Sequence, residues 1–210
     1  MNVVKKKKQT QAEKSAAMRL KLCEATLEAL TEVGFEKLTT QLACSKAGVS
    51  RGAMTHHFSS RNALIAAAFG HLLMQWKTAR EEYLASLGAG QTISFSEYTE
   101  YLWCNVFALP SYVAALELML AARKDDVLGR ELRNILAGWL DERDFLSTRI
   151  IGVDPEDEEI VQFLRLNLCM LRGIAIHGGF NDDEEERERL VATWKNFLLA
   201  NADRLPRAES

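Results

Sequence analysis

Apolar residues recur at intervals of three and four along most of the chain, and that period constrains the fold more than any motif does. In residues 12–33 the series is Ala16, Leu20, Cys23, Leu27 and Leu30, the signature of a helix with one face toward a core. Gly34 follows, where a helix C-cap needs a residue free to turn left-handed. No stretch alternates with period two for more than a few residues, and only 3 prolines occur among 210 residues. Strands therefore find no support, and helix breakers are few.

The punctuation predicts an all-α chain of about nine helices. A short helix over 40–47 is opened by Thr39 as N-cap, a turn follows at Gly48-Val49-Ser50, and a third helix ends near residue 57. Ser59 or Ser60 caps a longer helix to about residue 87, closed by Gly88-Ala89-Gly90. Further helical segments are expected near 94–108, 111–123 and 126–150, divided by Pro110 and by Lys124-Asp125-Asp126. Beyond the boundary from Gly152 to Pro155, two last helices over 156–178 and 183–203 are expected to part at Gly178-Gly179. The domain reading is a basic disordered arm over 1–11, a helix-turn-helix unit over 12–62, and a larger helical unit over 63–205.

With 48% hydrophobic and 26% charged residues the composition is that of a globular protein, which excludes a collagen-like, disulfide-scaffold or wholly disordered chain. No uninterrupted apolar stretch reaches the roughly 18–20 residues of a membrane span. The N-terminal lysines precede no apolar core, so no secretion signal is expected either. A cytoplasmic protein with no membrane partner is the expectation. Charge is divided unevenly: residues 1–62 hold 11 Lys/Arg against 5 Asp/Glu, a net of +6, and the remainder is −9. Residues 5–8 are all lysine and supply most of that excess, so the asymmetry fits either a polyanion-binding module or a basic tail on a neutral fold. Cys23, Cys44, Cys104 and Cys169 lie far apart, with no CxxC and no histidine at ligand spacing. No metal and no cofactor are expected, and each cysteine reads as a small residue on an apolar helix stripe.

Two short helices about a tight turn at Gly48 have the spacing of a helix-turn-helix. Cys44 is small enough for the helices to cross closely, Val49 plugs the space under the turn, Ser50 caps the next helix, and Phe58 anchors its end. An ordinary αα-corner uses the same residues without touching DNA, so spacing alone leaves both readings open.

Residues 22–69 further resemble the DNA-binding domain of TetR-type transcriptional regulators. The resemblance rests on Gly34-Phe35, Thr39-Thr40, Ala47-Gly48-Val49-Ser50, Gly52, His57-Phe58, Arg61 and Leu64. One position departs from the family pattern: Thr55 stands where a phosphate-contacting tyrosine is usual, a contact His56 would partly take over. The resemblance implies double-stranded DNA as partner, with the helix from Ser50 entering the major groove. Arg51 would then reach guanine, and Gly52 and Ala53 would let the helix press close to base edges. Thr39, Thr40, Thr55, His57 and Arg61 would meet phosphates, although His57 is equally well read as a buried support for the turn. The lysine run would serve as an electrostatic arm.

For the larger unit the resemblance implies an effector pocket among the middle helices and a homodimer interface from the last two. Large apolar residues suited to an aromatic or hydrophobic effector are Trp76, Tyr98, Tyr101, Trp103, Phe107, Met119, Trp139 and Met170. Asn105, Arg123, Asn167 or Arg172 would orient a polar end. Ile160, Phe163, Leu164, Leu168, Leu171 and Ala175, with Leu190, Val191, Trp194, Phe197 and Leu198, form the stripes expected at the interface, unless they only cover their own unit. No catalytic set can be assembled. The expected function is a ligand-responsive repressor on a palindromic operator; the alternative is a helical enzyme or carrier whose helix-turn-helix is merely structural.

Overall fold

The computed structural model describes residues 10–181 and 183–201, which form nine α-helices and no strand. These are α1 (Gln11–Lys37), α2 (Thr40–Ala47), α3 (Arg51–His57), α4 (Arg61–Leu87), α5 (Phe95–Leu102), α6 (Pro110–Ala121), α7 (Asp126–Ile151), α8 (Glu158–Asn181) and α9 (Glu184–Ala200), with a π-helical turn at Trp103–Phe107. Lysines 5–8, expected as a basic arm, lie outside the described residues.

Local chemistry starts and stops most of these helices. Thr10 and Glu13 form a reciprocal capping box on α1, Thr39 accepts from Leu42 N at 3.1 Å, and Ser60 accepts from Ala63 N at 3.0 Å. Gly34 breaks α1 with φ 75° and ψ 171°, and one further turn carries the chain to Lys37. At the end of α2 Gly48 is left-handed (φ 60°, ψ 39°); its N–H reaches Ser45 O at 3.1 Å, and Val49 N reaches Cys44 O at 3.0 Å. This paired bonding satisfies two carbonyls that a helix end leaves over, and it needs a residue tolerant of positive φ.

Two apolar cores share α1 and α4. The smaller joins Leu22, Cys23, Ala43, Cys44, Met54 and Phe58 to Leu64 and Ala68 of α4. Its reach past residue 62 means that α4 belongs to both units, so the expected boundary falls where no packing boundary exists. The larger core takes Leu30, Phe69, Leu73 and Trp76 together with α5 to α9. Two polar contacts also join the units: Phe35 N donates to Glu117 Oε2 at 3.1 Å, and Asn62 Nδ2 donates to Asp125 Oδ2 at 3.0 Å. Backbone N–H groups of Leu128 and Val127 and the Asn62 amide together hold the Asp125 carboxyl below its usual range.

Several expectations need correction. The stripe of α1 is displaced in its first half: Ala16 and Leu20 are exposed, and Ser15, Arg19 and Leu22 face α3 instead. The last two helices do not part at Gly178-Gly179, since α8 runs on to Asn181. A Cβ on Gly178 would lie 1.8 Å from Arg187 Cδ, so this glycine permits close approach of α9 rather than a break. Cys104 and Cys169 are exposed, whereas Cys23 and Cys44 are buried. Burial pushes the Cys23 thiol up to about 11, as expected of an inert core residue. By length and hydropathy alone Glu158–Gly178 of α8 could cross a membrane, although it contains Arg165 and Arg172. One of its faces packs into the core through Ile160, Leu164, Leu168 and Leu171.

Candidate nucleic-acid interface and inner cavity

Helix α3 lies on the outside of the smaller core. It is held from beneath by Met54 and Phe58, which are 4% and 3% exposed, while Arg51, Gly52, Thr55 and His56 face solvent. Ser50 caps it, accepting from Ala53 N at 3.1 Å, and Ala53 is half-buried. Gly52 is the second residue of α3, and glycine favours a helix less than any ordinary residue. Nothing within the fold demands it at 52, because a Cβ there would meet only Ser50 Oγ at 3.8 Å. The missing side chain clears space on the outer face alone. Arg51 is exposed and has no hydrogen bond or ion pair among the described residues.

The remaining candidates divide. Thr39 is exposed, and since its hydroxyl accepts from Leu42 N, its proton is left to donate outward; Thr40 beside it is half-buried. Thr55 Oγ1 donates to Gly52 O at 3.0 Å, which engages the proton expected to reach a phosphate. His57 is half-buried with Nδ1 3.4 Å from Ser15 Oγ, and its carbonyl accepts from Arg19 Nη1 at 2.6 Å. Of the two readings of His57, support of the turn is the one these contacts describe. Arg61, expected at a phosphate, instead donates to Leu38 O at 3.0 Å and Phe35 O at 3.3 Å, with its guanidinium 4.9 Å from the Phe35 ring centre. It clamps the α1–α2 connection. Sequence reasoning missed Lys21, an exposed cation whose Nζ is 3.9 Å from where a Gly48 Cβ would stand. Its neighbour lies 27 positions away, so no local pattern could reveal it.

A cavity of about 60 Å³ lies between α4, α6, α7 and α8. Trp76, Phe107, Met119 and Trp139 line it as expected, and so does Arg172. Rings crowd its wall: Trp76 is 5.8 Å from Tyr112 and 6.2 Å from Trp139, and Phe107 is 4.5 Å from Tyr112. Seven expected lining residues lie elsewhere, Tyr98 and Tyr101 among them. Trp103 points to α9, its Nε1 donating to Glu188 Oε1 at 3.1 Å, because the π-helical turn rotates the face that residues around it present. Arg123 is exposed past the end of α6. Asn167 Oδ1 accepts from Trp194 Nε1 at 2.7 Å and Thr99 Oγ1 at 3.2 Å, tying α5, α8 and α9 together. Met170 is 43% exposed on the outer side of α8. Asn105 is exposed too, donating to Tyr101 O at 2.8 Å. Sequence reading missed the buried Arg80 and Arg143, whose polar neighbours on α4 and α7 suggested solvent-facing positions.

The stripes expected at a dimer interface mostly face inward. Ile160, Leu164, Leu168, Leu171, Ala175, Val191 and Leu198 are buried within their own unit. The outward apolar residues are Leu166, Met170 and Ile176 of α8 with Leu190 and Phe197 of α9, between 36% and 63% exposed. On α8 they share one face with Gly173, where an added Cβ would meet nothing within 4 Å.

Comparison with known proteins agrees with this layout. Residues 22–68 match the family described as bacterial regulatory proteins, tetR family. The chain is 27% identical over 190 residues to the HTH-type transcriptional regulator CymR of Pseudomonas putida, covering 88% of this chain and 90% of that one. A TetR transcription regulator from Haloarcula marismortui superposes with a TM-score of 0.62 at 20% identity, over 88% of this chain and 98% of that one. The multidrug binding protein EbrR complexed with ethidium gives 0.59 at 19% identity, over 84% and 95%.

Proposed function

We propose, from the premise that this chain is a TetR-type transcriptional regulator, that it is a cytoplasmic repressor, binding a palindromic operator as a homodimer and released by a hydrophobic or aromatic small molecule. The observation that carries the DNA-reading surface is Gly52: the first turn of α3 keeps a residue with no side chain on an outer face where the fold gives no reason for it. Beside it Arg51 is an unpaired exposed guanidinium, the group suited to bidentate bonding with guanine O6 and N7. Ala53 is small enough to touch a thymine methyl. Ser50, Thr39, Thr40, His56 and Lys21 surround that helix as phosphate contacts, which position it without reading sequence. Thr55 serves there as an acceptor-side spacer, and His57 and Arg61 act from behind as supports.

The homodimer reading rests on the outward stripe of α8 and α9. Leu166, Met170, Ile176, Leu190 and Phe197 leave an apolar face that a two-fold copy would cover, making a four-helix seam. Two α3 helices about 34–36 Å apart would then meet successive major grooves. The effector reading is supported by the ring-lined cavity and by the likeness to EbrR, a structure of which contains ethidium. At about 60 Å³ the cavity holds a few waters, whereas small-molecule pockets run to about 300–1,000 Å³. The closed cavity thus suits the DNA-bound state, and an effector would act by favouring an expanded one.

Fluorescence anisotropy with DNA from upstream of its own gene tests the proposal. Salt-dependent binding that Gly52→Glu abolishes and an aromatic effector relieves is expected. Retention of binding by Gly52→Glu would overturn the assignment of α3, and a strictly monomeric protein would overturn the dimer.

A further inference from the structure

The cavity holds more positive charge than its surroundings neutralise. Arg80 is 1% exposed. Its Nη1 donates at 3.2 Å to Trp76 O, one turn back on its own helix. Its Nε has no hydrogen-bond partner, and no carboxylate lies within 4 Å among the described residues. The guanidinium is 5.7 Å from the Trp139 ring centre, and Arg143 is 5.5 Å from the same ring. Two cations therefore share one indole. Arg143 pairs with Asp144, but Asp144 also accepts from Arg165 Nε at 3.0 Å, so a single carboxylate serves two guanidiniums. Arg172 adds a third cation to the lining, its Nε bonded to the Tyr112 hydroxyl at 2.9 Å.

A buried guanidinium without an anion is costly to hold, and an indole face offsets only part of that cost. Arginine cannot shed its proton to escape the penalty, as a buried lysine does. Its fork geometry matches a carboxylate, which takes two parallel N–H bonds from it. The aromatic wall supplies the other half of the recognition, since Trp76, Trp139, Phe107 and Tyr112 offer ring faces and edges to a flat apolar body. A groove of about 440 Å³ between α7 and α8 adjoins the inner cavity, sharing Leu140, Arg143, Leu168 and Arg172 with it; Arg165, Asp141 and Asp144 line it too. Its three arginines outnumber its two carboxylates, a balance that favours an anion over a cation.

We infer that the effector is an organic monoanion, an aromatic carboxylate whose ring lies among Trp76, Trp139 and Phe107 and whose carboxylate pairs with Arg80. This inference rests on the effector reading above and names its chemical class. Arg80 packs on Trp139, and a bound carboxylate would complete the hydrogen bonding that its Nε lacks. Glu81 and Glu142 flank this region but face Lys77, at 4.0 and 2.9 Å, and so do not compete for Arg80.

The test uses the full-length protein and tryptophan fluorescence titration, with thermal shift as the second readout. The probes are 3-phenylpropionate and 2-naphthoate, their primary amides as neutral isosteres, and ethidium as a cation. The carboxylates are expected to bind at least ten-fold more tightly than the amides, and ethidium more weakly than either. In Arg80→Met, checked for folding by circular dichroism, the carboxylate-to-amide ratio is expected to fall to about one; Arg80→Lys should restore part of it. Equal affinity for carboxylates and amides in the unaltered protein would sink the charge assignment while leaving an apolar effector standing. An undiminished ratio in Arg80→Met would sink the role of Arg80. Failure of every probe to bind would overturn the effector reading and this inference with it.

Discussion

Helices α3 and α4 put the same residue type to opposite uses. At the start of α3 the fold surrounds Arg51 with small residues and a cap, leaving a guanidinium outside with no partner among the described residues. Some 30 positions on, Arg80 is buried against the Trp139 indole, again without an acid partner among the described residues. Arg61 shows the ordinary alternative, with two carbonyls and a ring taking up its donors. A cation left unpaired outside is cheap, and one left unpaired inside is not. The first is therefore informative only together with Gly52, whereas the second is informative by its cost alone.

The largest expected effect breaks the outer half of that comparison. Gly52→Glu should reduce operator affinity by at least a hundred-fold, with a melting temperature close to that of the parent by calorimetry. Arg51→Ala follows, with a loss of about 1–3 kcal/mol in binding and none in stability. Arg61→Ala should do the reverse: about 1 kcal/mol of unfolding free energy in urea titrations, and a smaller change in DNA affinity. Gly52→Ala sharpens the contrast further. It should leave stability unchanged or raise it by up to about 0.5 kcal/mol while weakening DNA binding, because only the outer face feels the methyl. Matching behaviour of Arg51→Ala and Arg61→Ala would remove the distinction between reader and clamp.

The smallest effect concerns the seam between the units. Asp125→Asn should loosen the contact with Asn62 and the cap of α7. Because hydrogen bonds hold the Asp125 carboxyl below its ordinary value, its contribution is full above the usual carboxylate range and is lost as pH falls through the lowered value. The stability gap between parent and variant should be widest near neutrality and close in strong acid, as followed by circular dichroism melts.

The contrast also explains what was legible beforehand. Thr39, Gly48, Ser50 and Ser60 act on groups three or four residues away, so spacing along the chain reports them directly. The effector half is assembled across distance. Asn167 joins residues 68 and 27 positions away, and Trp103 meets Glu188 through a π-helical turn that no apolar period announces. Gly178 looked like a stop because glycine usually is one; the close passage of Arg187, nine positions further on, gives it another purpose. Arg80 is followed by Glu81 and Glu82, and the Trp139 ring it packs on lies 59 positions away on α7.

Helix α4 carries Leu64 in the smaller core and Arg80 at the cavity, with 27 residues in one unbroken rod. At 1.5 Å per residue those two positions are about 24 Å apart. A tilt of about 5° forced at the inner end would swing the outer end by about 2 Å. Doubled across a two-fold axis, that swing exceeds the tolerance of a hydrogen bond to a base edge. A stiff shaft of this length thus turns a small swelling around one molecule into a mis-set distance between two grooves.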